Sequence, residues 1–400
     1  MFRFIHTSDW HLGQNLYGYD RSVEQRDMLR QLAGIVAEQQ PDALLVSGDV
    51  YHTPSPSSSA VSLYVKSMLE IHEACPGMSI IVIAGNHDSA ARLESDSLLW
   101  QLAGVTVLGG IARNSDGTAD LDRHLVRVKD CGIVAAVPFG YPASFPQIAG
   151  NTASRDQRQQ AFFQALMNRA SDLNPNGLPV ALMAHLAVSG SNVTGHDSAV
   201  LMDSVTLAEI GTGYDYAALG HIHHPQQLSG NARYCGTPLA VSFDEQCEHS
   251  VSLVEIDRHG AIPVVNAHKI KNIRPLHTIP PREPADFDTV LALLQDLGSG
   301  ENAYVRLNVL VDGHLPHDAQ TRAAKALEEK KCRYCCIKRT LPATATTRST
   351  RRMHLEELTA KQPIDIADQF YKDRTGNAMS DMQRELFNEA FRQATIDNRN

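Results

Sequence analysis

The sequence predicts a layered α/β protein, and three observations support this fold class. Short runs rich in Val, Ile, Leu and Ala alternate with longer stretches through about residue 270, an order typical of sheets covered by helices. The longer stretches carry apolar residues at helical spacing, as in Met28, Leu32 and Val36. Of the 400 residues, 43% are hydrophobic and 20% are charged, which excludes a disordered or fibrous chain and suffices for one large or two ordinary domains.

Each element follows from the length and residue types of its run. Short apolar runs predict buried strands at residues 2–7, 43–47, 79–84, 132–137, 180–184 and 216–219. Amphipathic stretches predict helices at residues 21–39, 58–73 and 155–170. Later runs at 233–234, 250–255 and 262–267 have no helices between them, so we expect hairpins that close the sheet.

The Pro-rich stretch at residues 279–284 marks the clearest domain boundary. We therefore expect a first domain over 1–275 and a small α+β domain over 276–340. The second domain is predicted to contain helices at 286–297 and 317–329 and strands at 303–311 and 333–339. Residues 341–352 predict a linker, because they begin with a segment rich in Thr, Ala and Pro. A C-terminal region over 353–400 follows, with helical segments at 353–361 and 363–394.

Cysteine usage and the absence of targeting signals predict a soluble cytoplasmic protein without a membrane partner. Seven cysteines are an odd number spread thinly over a long chain, which is no disulfide framework. The cluster of Cys332, Cys335 and Cys336 fits small buried strand residues better than a structural zinc site. The N-terminus is too polar for a secretory signal, and no apolar run reaches the roughly 18 residues of a membrane span.

Five short segments carry metal-binding side chains, and each follows a predicted strand. The histidine count of 18, above that of Phe and Trp together, already suggests a metal site. The segments contain Asp9 and His11; Asp49 and His52; Asn86, His87 and Asp88; His185; and His221 and His223. Because ligand sites of α/β sheets lie at the carboxyl ends of strands, we expect these side chains to meet there.

The donor types and their spacing favour two metal ions. Asp9 and His11 are two residues apart, as are the two histidines near residue 222, and in extended backbone both members of such a pair face the same way. Gly48, Gly85 and Gly220 precede ligands and allow close turns. Oxygen and imidazole donors without thiolate suit Mn²⁺, Fe²⁺ or Zn²⁺ better than Ca²⁺. The donors are too many for one tetrahedral ion, whereas two ions bridged by a carboxylate would use them all.

The series D-x-H, G-D, G-N-H-D, a lone His and G-H-x-H resembles the motifs of the calcineurin-like metallophosphoesterases. Longer phrases resemble one branch of them, the DNA double-strand-break repair nucleases to which the nuclease subunit of the bacterial SbcCD complex belongs. These phrases are HTSDWHLG at 6–13, AGNHDS at 84–89, ALGHIH at 218–223, YCGTPL at 234–239 and SFDE at 242–245. The resemblance is strong over about residues 1–270. It implies a four-layer α/β/β/α sandwich with a small α+β cap domain, which would cover DNA, and C-terminal helices.

Carried over position by position, the resemblance also implies the roles of the site residues. One ion would be held by Asp9, His11, Asp49 and His223, and the second by Asp49, Asn86, His185 and His221. The two divalent ions would be Mn²⁺, with Mg²⁺, Fe²⁺ and Zn²⁺ as alternatives. His87 would stabilise the transition state or act as general acid, and Asp88 would orient it and raise its pKa. His52 is either a residue that supports the ligands or an ordinary loop residue.

The net charge of −9 at first argues against a nucleic-acid partner, but the charge is unevenly distributed. Residues 322–352 hold about ten basic and two acidic residues. The candidates for contacts with DNA phosphates are Arg92, Lys330, Lys331, Arg333, Lys338 and Arg339, while Arg348, Arg351 and Arg352 fall in the linker and are candidates for a partner contact. The alternative is a solvated charged face without a ligand.

The C-terminal region predicts a protein partner, because it carries more apolar residues than a free terminal helix needs. These residues are Ile364, Ile366, Ala367, Phe370, Tyr371, Met379, Met382, Leu386, Phe387, Ala390 and Phe391. By resemblance the partner is an SbcC-type coiled-coil ATPase, in a heterotetramer built on a homodimer of this chain. The alternative is that the helices pack on their own domain.

The resemblance thus implies a Mn²⁺-dependent DNA nuclease of DNA repair, replication and recombination, located in the cytoplasm at the nucleoid. It would act as a double-strand 3′–5′ exonuclease and as an endonuclease on single strands and hairpins, gated by its ATPase. Two alternatives are a phosphatase or small-substrate phosphodiesterase on the same site, and a non-catalytic scaffold for the ATPase.

Overall fold

The computed structural model describes residues 1–150, 153–194, 204–311, 314–342, 363–375 and 378–397. The strands are β1 (Phe2–Thr7), β2 (Asn15–Leu16), β3 (Tyr19–Asp20), β4 (Ala43–Ser47), β5 (Ser79–Ile83), β6 (Val105–Leu108), β7 (Leu125–Val128), β8 (Gly132–Val137), β9 (Val180–His185), β10 (Tyr216–Gly220), β11 (Gln226–Ser229), β12 (Ala232–Tyr234), β13 (Ser250–Ile256), β14 (Val264–Lys269), β15 (Leu276–Ile279), β16 (Tyr304–Leu310) and β17 (Arg333–Thr340). The helices are α1 (Ser22–Gln39), α2 (Ser58–Ala74), α3 (Ala90–Glu94), α4 (Ser97–Leu102), α5 (Arg158–Asp172), α6 (Phe287–Asp296), α7 (Ala319–Ala326), α8 (Pro363–Thr375) and α9 (Asp381–Asp397).

The first part of the chain forms two six-stranded sheets. The first has the order β14-β13-β1-β4-β5-β6, with β1 parallel to β4, β4 to β5 and β5 to β6. The second has the order β11-β12-β10-β9-β8-β7, with parallel pairing from β12 to β8. The predicted hairpin near residue 260 is confirmed, because β13 and β14 pair antiparallel at the edge of the first sheet.

Three hydrophobic clusters establish the layers. Between the sheets, Phe2, Leu45 and Ile81 of the first pack with Val134 and Met183 of the second. On its outer face the first sheet packs against α1 and α2, and the second packs against α5. The predicted four-layer α/β/β/α order is therefore confirmed, with apolar cores on both sides of each sheet.

The sequence missed several short elements. Strands β6, β7, β11 and β15 have four residues each, and α3 and α4 have five and six. Such lengths are too short for a periodic pattern, and α4 buries none of its side chains. The predicted helix at 155–170 begins later as an α-helix, since Arg155–Gln157 form a 3-10 turn.

The chain divides into two compact units. The first comprises Met1–Thr278, Gly298–Arg306 and Glu329–Cys336, and the second comprises Ile279–Leu297, Leu307–Glu328 and Ile337–Asn400. The break after Thr278 lies near the Pro-rich stretch, while the predicted limits of the domains and of the linker stay predictions. The elements expected for the small domain are present as α6, α7 and the sheet β15-β16-β17. The predicted helix at 353–361 and most of the linker lie outside the described residues. Within the described ranges, no helix is long and apolar enough to cross a membrane.

Candidate metal centre

All seven predicted metal ligands lie at or just after the carboxyl ends of strands in the two six-stranded sheets. Asp9 and His11 follow β1, Asp49 follows β4, and Asn86 follows β5. His185 is the last residue of β9, and His221 and His223 follow β10. Six of the seven are buried and Asn86 is exposed. The site therefore opens to solvent on the side of Asn86.

The structure brings these side chains together in two groups that meet at Asp49. Asp9, His11 and His223 have donor atoms within 4.8 Å of one another, and so do Asp49, His185 and His221. Nε2 of His11 lies 3.0 Å from Nε2 of His223. Oδ2 of Asp49 lies 3.8 Å from Nε2 of His11 and 3.5 Å from Nε2 of His185. One carboxylate oxygen thus faces both groups, which is the arrangement of a bridging ligand.

Asn86 completes the second group. Its Oδ1 lies 2.8 Å from Nδ1 of His221 and 3.0 Å from Nε2 of His185. The other carboxylate oxygen of Asp49, Oδ1, accepts a hydrogen bond from the backbone N–H of His87 at 2.9 Å. This bond leaves Oδ2 of Asp49 for the shared position between the two groups.

The backbone of the ligands differs from the extended conformation expected for the two-residue spacing. Asp9, His11 and Asp49 have φ values of 55°, 47° and 50°, and His221 has φ of 100°. Left-handed φ is uncommon for residues other than glycine and costs energy unless the surroundings enforce it. The expectation of extended backbone was therefore wrong, because the chain turns sharply after each strand. The convergence of the side chains comes from these turns.

Glycines make the close approach possible. A Cβ on Gly48 would lie 2.2 Å from Nδ1 of His185, and one on Gly85 would lie 2.1 Å from Oδ1 of Asp49. A Cβ on Gly220 would lie 1.9 Å from the carbonyl oxygen of Ser47. These positions are closed to larger residues, as the sequence predicted from their place before the ligands.

The ionisable side chains of this buried site shift one another's pKa values. Burial raises the pKa of Asp9. Burial would also raise the pKa of Asp49, but the neighbouring His185 and His11 hold it well below its usual range. Burial alone would lower the pKa of His185, and the Asp49 carboxylate instead raises it to about 9. Divalent cations such as Mn²⁺ are bound by carboxylate, amide and imidazole donors. Here these donors converge on two positions. The residues present fit a two-metal centre.

Two further groups orient the imidazoles. The carbonyl oxygen of Ser47 lies 2.8 Å from Nδ1 of His185, and Oε1 of Glu245 lies 3.0 Å from Nδ1 of His223. The sequence predicts no role for Glu245, although it is the last residue of the phrase SFDE. Glu245 is recognisable as a carboxylate within that phrase. The carbonyl oxygen of Ser47 is not recognisable, because every residue has a backbone carbonyl. Phe139 was also missed, and its ring centroid lies 6.2 Å from that of His185.

His87 and His52 lie beside the first group. The ring centroids of His87 and His11 are 4.9 Å apart, and the rings of His52 and His87 are stacked with centroids 5.8 Å apart. Nδ1 of His87 lies 2.9 Å from the carbonyl oxygen of His52, and Nδ1 of His52 lies 3.4 Å from Nδ1 of His11. The structure thus places His52 at the site, on the side of the first group.

Asp88 does not have the contacts expected for an orienting partner of His87. Its carboxylate accepts hydrogen bonds from the backbone N–H groups of Val50, Tyr51 and Gly85 at 3.1, 2.8 and 2.9 Å. Nδ1 of His87 instead faces a backbone carbonyl, so that expectation needs correction. The carboxylate turns towards the strand ends because three N–H groups there need an acceptor. Burial and the nearby Asp49 raise the pKa of Asp88 to about 7.

The predicted DNA-binding residues differ in exposure. Arg92, Lys331, Lys338 and Arg339 are exposed, and Lys330 is half-buried. Arg333 is engaged within its own unit: its Nη1 donates to the Tyr304 hydroxyl at 3.1 Å, and its guanidinium lies over the ring of Tyr19. Arg333 is therefore a weaker candidate for a phosphate contact. The linker residues Arg348, Arg351 and Arg352 lie outside the described residues.

Comparison with known proteins finds two family profiles and several relatives that match this chain. A family profile described as calcineurin-like phosphoesterase matches residues 2–225. A second, described as type 5 capsule protein repressor C-terminal domain, matches residues 272–375. A protein of Rhodobacter capsulatus, named as the SbcD subunit of the SbcCD nuclease, is 33% identical, over 74% of this chain and 76% of the relative. Proteins of the same name from Escherichia coli K12 and Bacillus subtilis 168 are 30% and 28% identical, covering 82% and 81% of this chain and 82% and 83% of the relatives.

Proposed function

The chain belongs to the calcineurin-like phosphoesterases and, within them, to the family of SbcD subunits of SbcCD nucleases, and we propose that it cleaves DNA with two Mn²⁺ ions. The observation that carries this proposal is the pair of donor groups that share Asp49. The first ion would be held by Asp9, His11, His223 and Asp49. The second would be held by Asp49, Asn86, His185 and His221.

When bound, two such ions acidify water to a nucleophile at neutral pH and neutralise the charge of a phosphodiester. The protein supplies the rest of the chemistry. Nδ1 of His87 is held by the carbonyl oxygen of His52, which leaves Nε2 for the substrate. We assign to His87 the stabilisation of the transition state or the protonation of the leaving oxygen. His52 supports His87 through this contact, and Asp88 supports the loops that carry the ligands.

The proposed substrates are duplex ends, cleaved 3′–5′, and single strands and hairpins, cleaved internally. A phosphatase or small-substrate phosphodiesterase would use the same site, and a scaffold would use none of its chemistry. The test compares cleavage of plasmid and hairpin DNA with hydrolysis of a chromogenic phosphate monoester, in Mn²⁺ and in Mg²⁺. We expect DNA cleavage with Mn²⁺ and far slower monoester hydrolysis. Faster monoester hydrolysis would support the phosphatase, and DNA binding without cleavage, even with the ATPase and ATP, would support the scaffold.

The C-terminal helices support an ATPase partner. Helix α8 exposes Phe370, and α9 exposes Met382, Leu386 and Phe391. Apolar surface of this kind is typical of a protein interface, and we propose that it binds the coiled coil of an SbcC-type ATPase. Deletion of residues 353–400 should abolish co-purification with the ATPase and leave basal nuclease activity. Unchanged co-purification would contradict this assignment.

A second apolar surface supports a homodimer within a heterotetramer. Three leucines of α4, Leu98, Leu99 and Leu102, are 78%, 68% and 87% exposed. We propose that a second copy of the chain covers them. Light scattering should give a dimer for the wild type and a monomer for Leu99→Glu, and an unchanged mass would exclude α4 from the interface.

Action on chromosomal DNA would place the protein in the cytoplasm at the nucleoid.

A further inference from the structure

We infer that Glu245 is a positioning residue that holds His223 in the tautomer required at the first metal site. This inference rests on the proposed two-metal centre. Oε1 of Glu245 lies 3.0 Å from Nδ1 of His223. The Glu245 side chain is fully buried and that of His223 nearly so. The pair is therefore formed out of contact with bulk water.

The tautomer follows from the donors and acceptors of the pair. An ionised carboxylate can only accept hydrogen bonds, so the imidazole proton lies on Nδ1 and is donated to Glu245. The lone pair then lies on Nε2. That nitrogen is the one that faces the first donor group, because it lies 3.0 Å from Nε2 of His11. Metal-binding histidines in general depend on such a partner at their other nitrogen.

Glu245 is itself rigidly held. Its Oε2 accepts from the backbone N–H of Val241 and its Oε1 from that of Ser242, both at 3.1 Å. The adjacent Asp244 binds Nη1 of Arg306 at 2.8 Å, and this guanidinium also lies over the ring of Phe243. The phrase SFDE thus places one carboxylate on a metal ligand and anchors its neighbours to another strand of the same unit.

The two groups of donors differ in the partner that faces Nδ1 of a histidine. In the second group, Nδ1 of His185 faces the neutral carbonyl oxygen of Ser47. In the first group, the side-chain carboxyl group of Glu245 faces Nδ1 of His223. The orientation of His223 consequently depends on a side chain that substitution can change, whereas that of His185 depends on a backbone carbonyl that substitution leaves in place.

The experiment substitutes Glu245→Gln in the full chain and titrates Mn²⁺ by calorimetry and electron paramagnetic resonance. The glutamine amide keeps the size of the carboxylate but loses its charge and one acceptor oxygen. With its N–H against Nδ1, the imidazole proton moves to Nε2 and blocks the metal-facing nitrogen. With its N–H against the backbone N–H of Val241, the side chain loses the hydrogen bond that anchors it. We expect one of two Mn²⁺ ions to bind about 10–100-fold more weakly. The spectrum of the coupled pair should give way to that of an isolated Mn²⁺ ion.

Asp215→Asn is the matched control. Asp215 is also a buried carboxylate that accepts from two backbone N–H groups, those of Val180 and Gly260, and lies 3.0 Å from Nδ1 of a histidine, His259. Asp215 precedes β10, at the opposite end of this strand from His221 and His223. Asp215→Asn should lower thermal stability without weakening either Mn²⁺ ion. Equal loss of Mn²⁺ in both variants, or two ions bound normally by Glu245→Gln, would overturn the inference.

A direct measurement keeps the inference testable if Glu245→Gln fails to fold. Nitrogen-15 chemical shifts of labelled histidines in the metal-free wild type, recorded at alkaline pH where the imidazole of His223 is neutral, report which of its two ring nitrogens carries the single proton. We expect the proton on Nδ1, and a proton on Nε2 would overturn the inference. A wild type that binds two Mn²⁺ ions but cuts no DNA would defeat the nuclease proposal and leave this inference standing.

Discussion

The carboxylate of Asp88 accepts a hydrogen bond from the backbone N–H of Tyr51 at 2.8 Å, across 37 positions of sequence. Together with its bonds to Val50 and Gly85, this contact ties the turn that carries Asn86 to the loop that carries Asp49. The separation of these two ligands is thus fixed by a residue that need not bind metal.

We predict that Asp88→Asn loosens this connection. An asparagine can offer one oxygen to these N–H groups but places an amide N–H among them, which costs about 1–3 kcal/mol. The metal-free protein should melt at a lower temperature, and Mn²⁺ should bind more weakly. Asp130→Asn, at a side chain that is 97% exposed, is the control and should change neither. An unchanged melting temperature, with a pH–rate profile altered as in a His87 variant, would restore the orienting role.

Gly48→Ala should damage the second donor group. The added Cβ would lie 2.2 Å from Nδ1 of His185, at a residue whose φ is +90°. Backbone strain of this kind costs about 1–3 kcal/mol, and His185 must also move. We expect lower thermal stability and the loss of one Mn²⁺ ion per chain, measured by metal analysis after dialysis. Gly230→Ala has open space around its Cβ and should behave as the wild type; equal behaviour of both variants would contradict the packing argument.

Acid should destabilise the protein partly through His124. This ring is buried between two backbone groups: Nδ1 lies 2.7 Å from the carbonyl oxygen of Ala136, and Nε2 accepts from the N–H of Ala112 at 3.0 Å. Burial lowers the pKa of His124. In the unfolded chain the pKa is about 6.5, so the stabilising effect is complete above that pH and is lost as the pH falls below it.

His124→Gln should therefore reduce the pH dependence of stability below about pH 6.5. Urea unfolding at a series of pH values measures the free energy of unfolding. The variant should have a lower free energy of unfolding than the wild type at pH 7.5, and that free energy should fall less on acidification. Some dependence should remain, because burial also lowers the pKa of His6 to about 3. Parallel curves for wild type and variant would show that His124 does not contribute.

The sequence predicts those parts of the fold that depend on local pattern. Strands β1, β4 and β8 begin and end at the predicted residues, because each is a buried apolar run that ends at a turn. The seven candidate ligands can be recognised in the sequence because a carboxylate, amide or imidazole at a strand end stands out from its surroundings. The left-handed backbone of Asp9 and His11 is not indicated by any residue type in the sequence, because neither residue is a glycine.

The remaining features depend on contacts between distant segments. Asp88 reaches the loop at Val50 and Tyr51, and Glu245 reaches His223 across 22 positions. Which backbone N–H groups need an acceptor becomes clear only once the strands are assembled. The position of Asp88 beside His87 predicts an orienting role, whereas its hydrogen bonds run to backbone N–H groups of other segments. No pattern in the sequence indicates the contact between Glu245 and His223.

His87 tests the central claim most directly, because it lies at the site without being needed as a ligand. Plasmid and hairpin DNA cleavage should be measured with Mn²⁺ for the wild type and His87→Ala, alongside the Mn²⁺ content of both proteins. We predict that the variant keeps two Mn²⁺ ions and DNA binding but cleaves about 10²–10⁴-fold more slowly. Loss of both ions would show that His87 acts as a ligand, and cleavage at the wild-type rate would contradict a catalytic role for it at this centre.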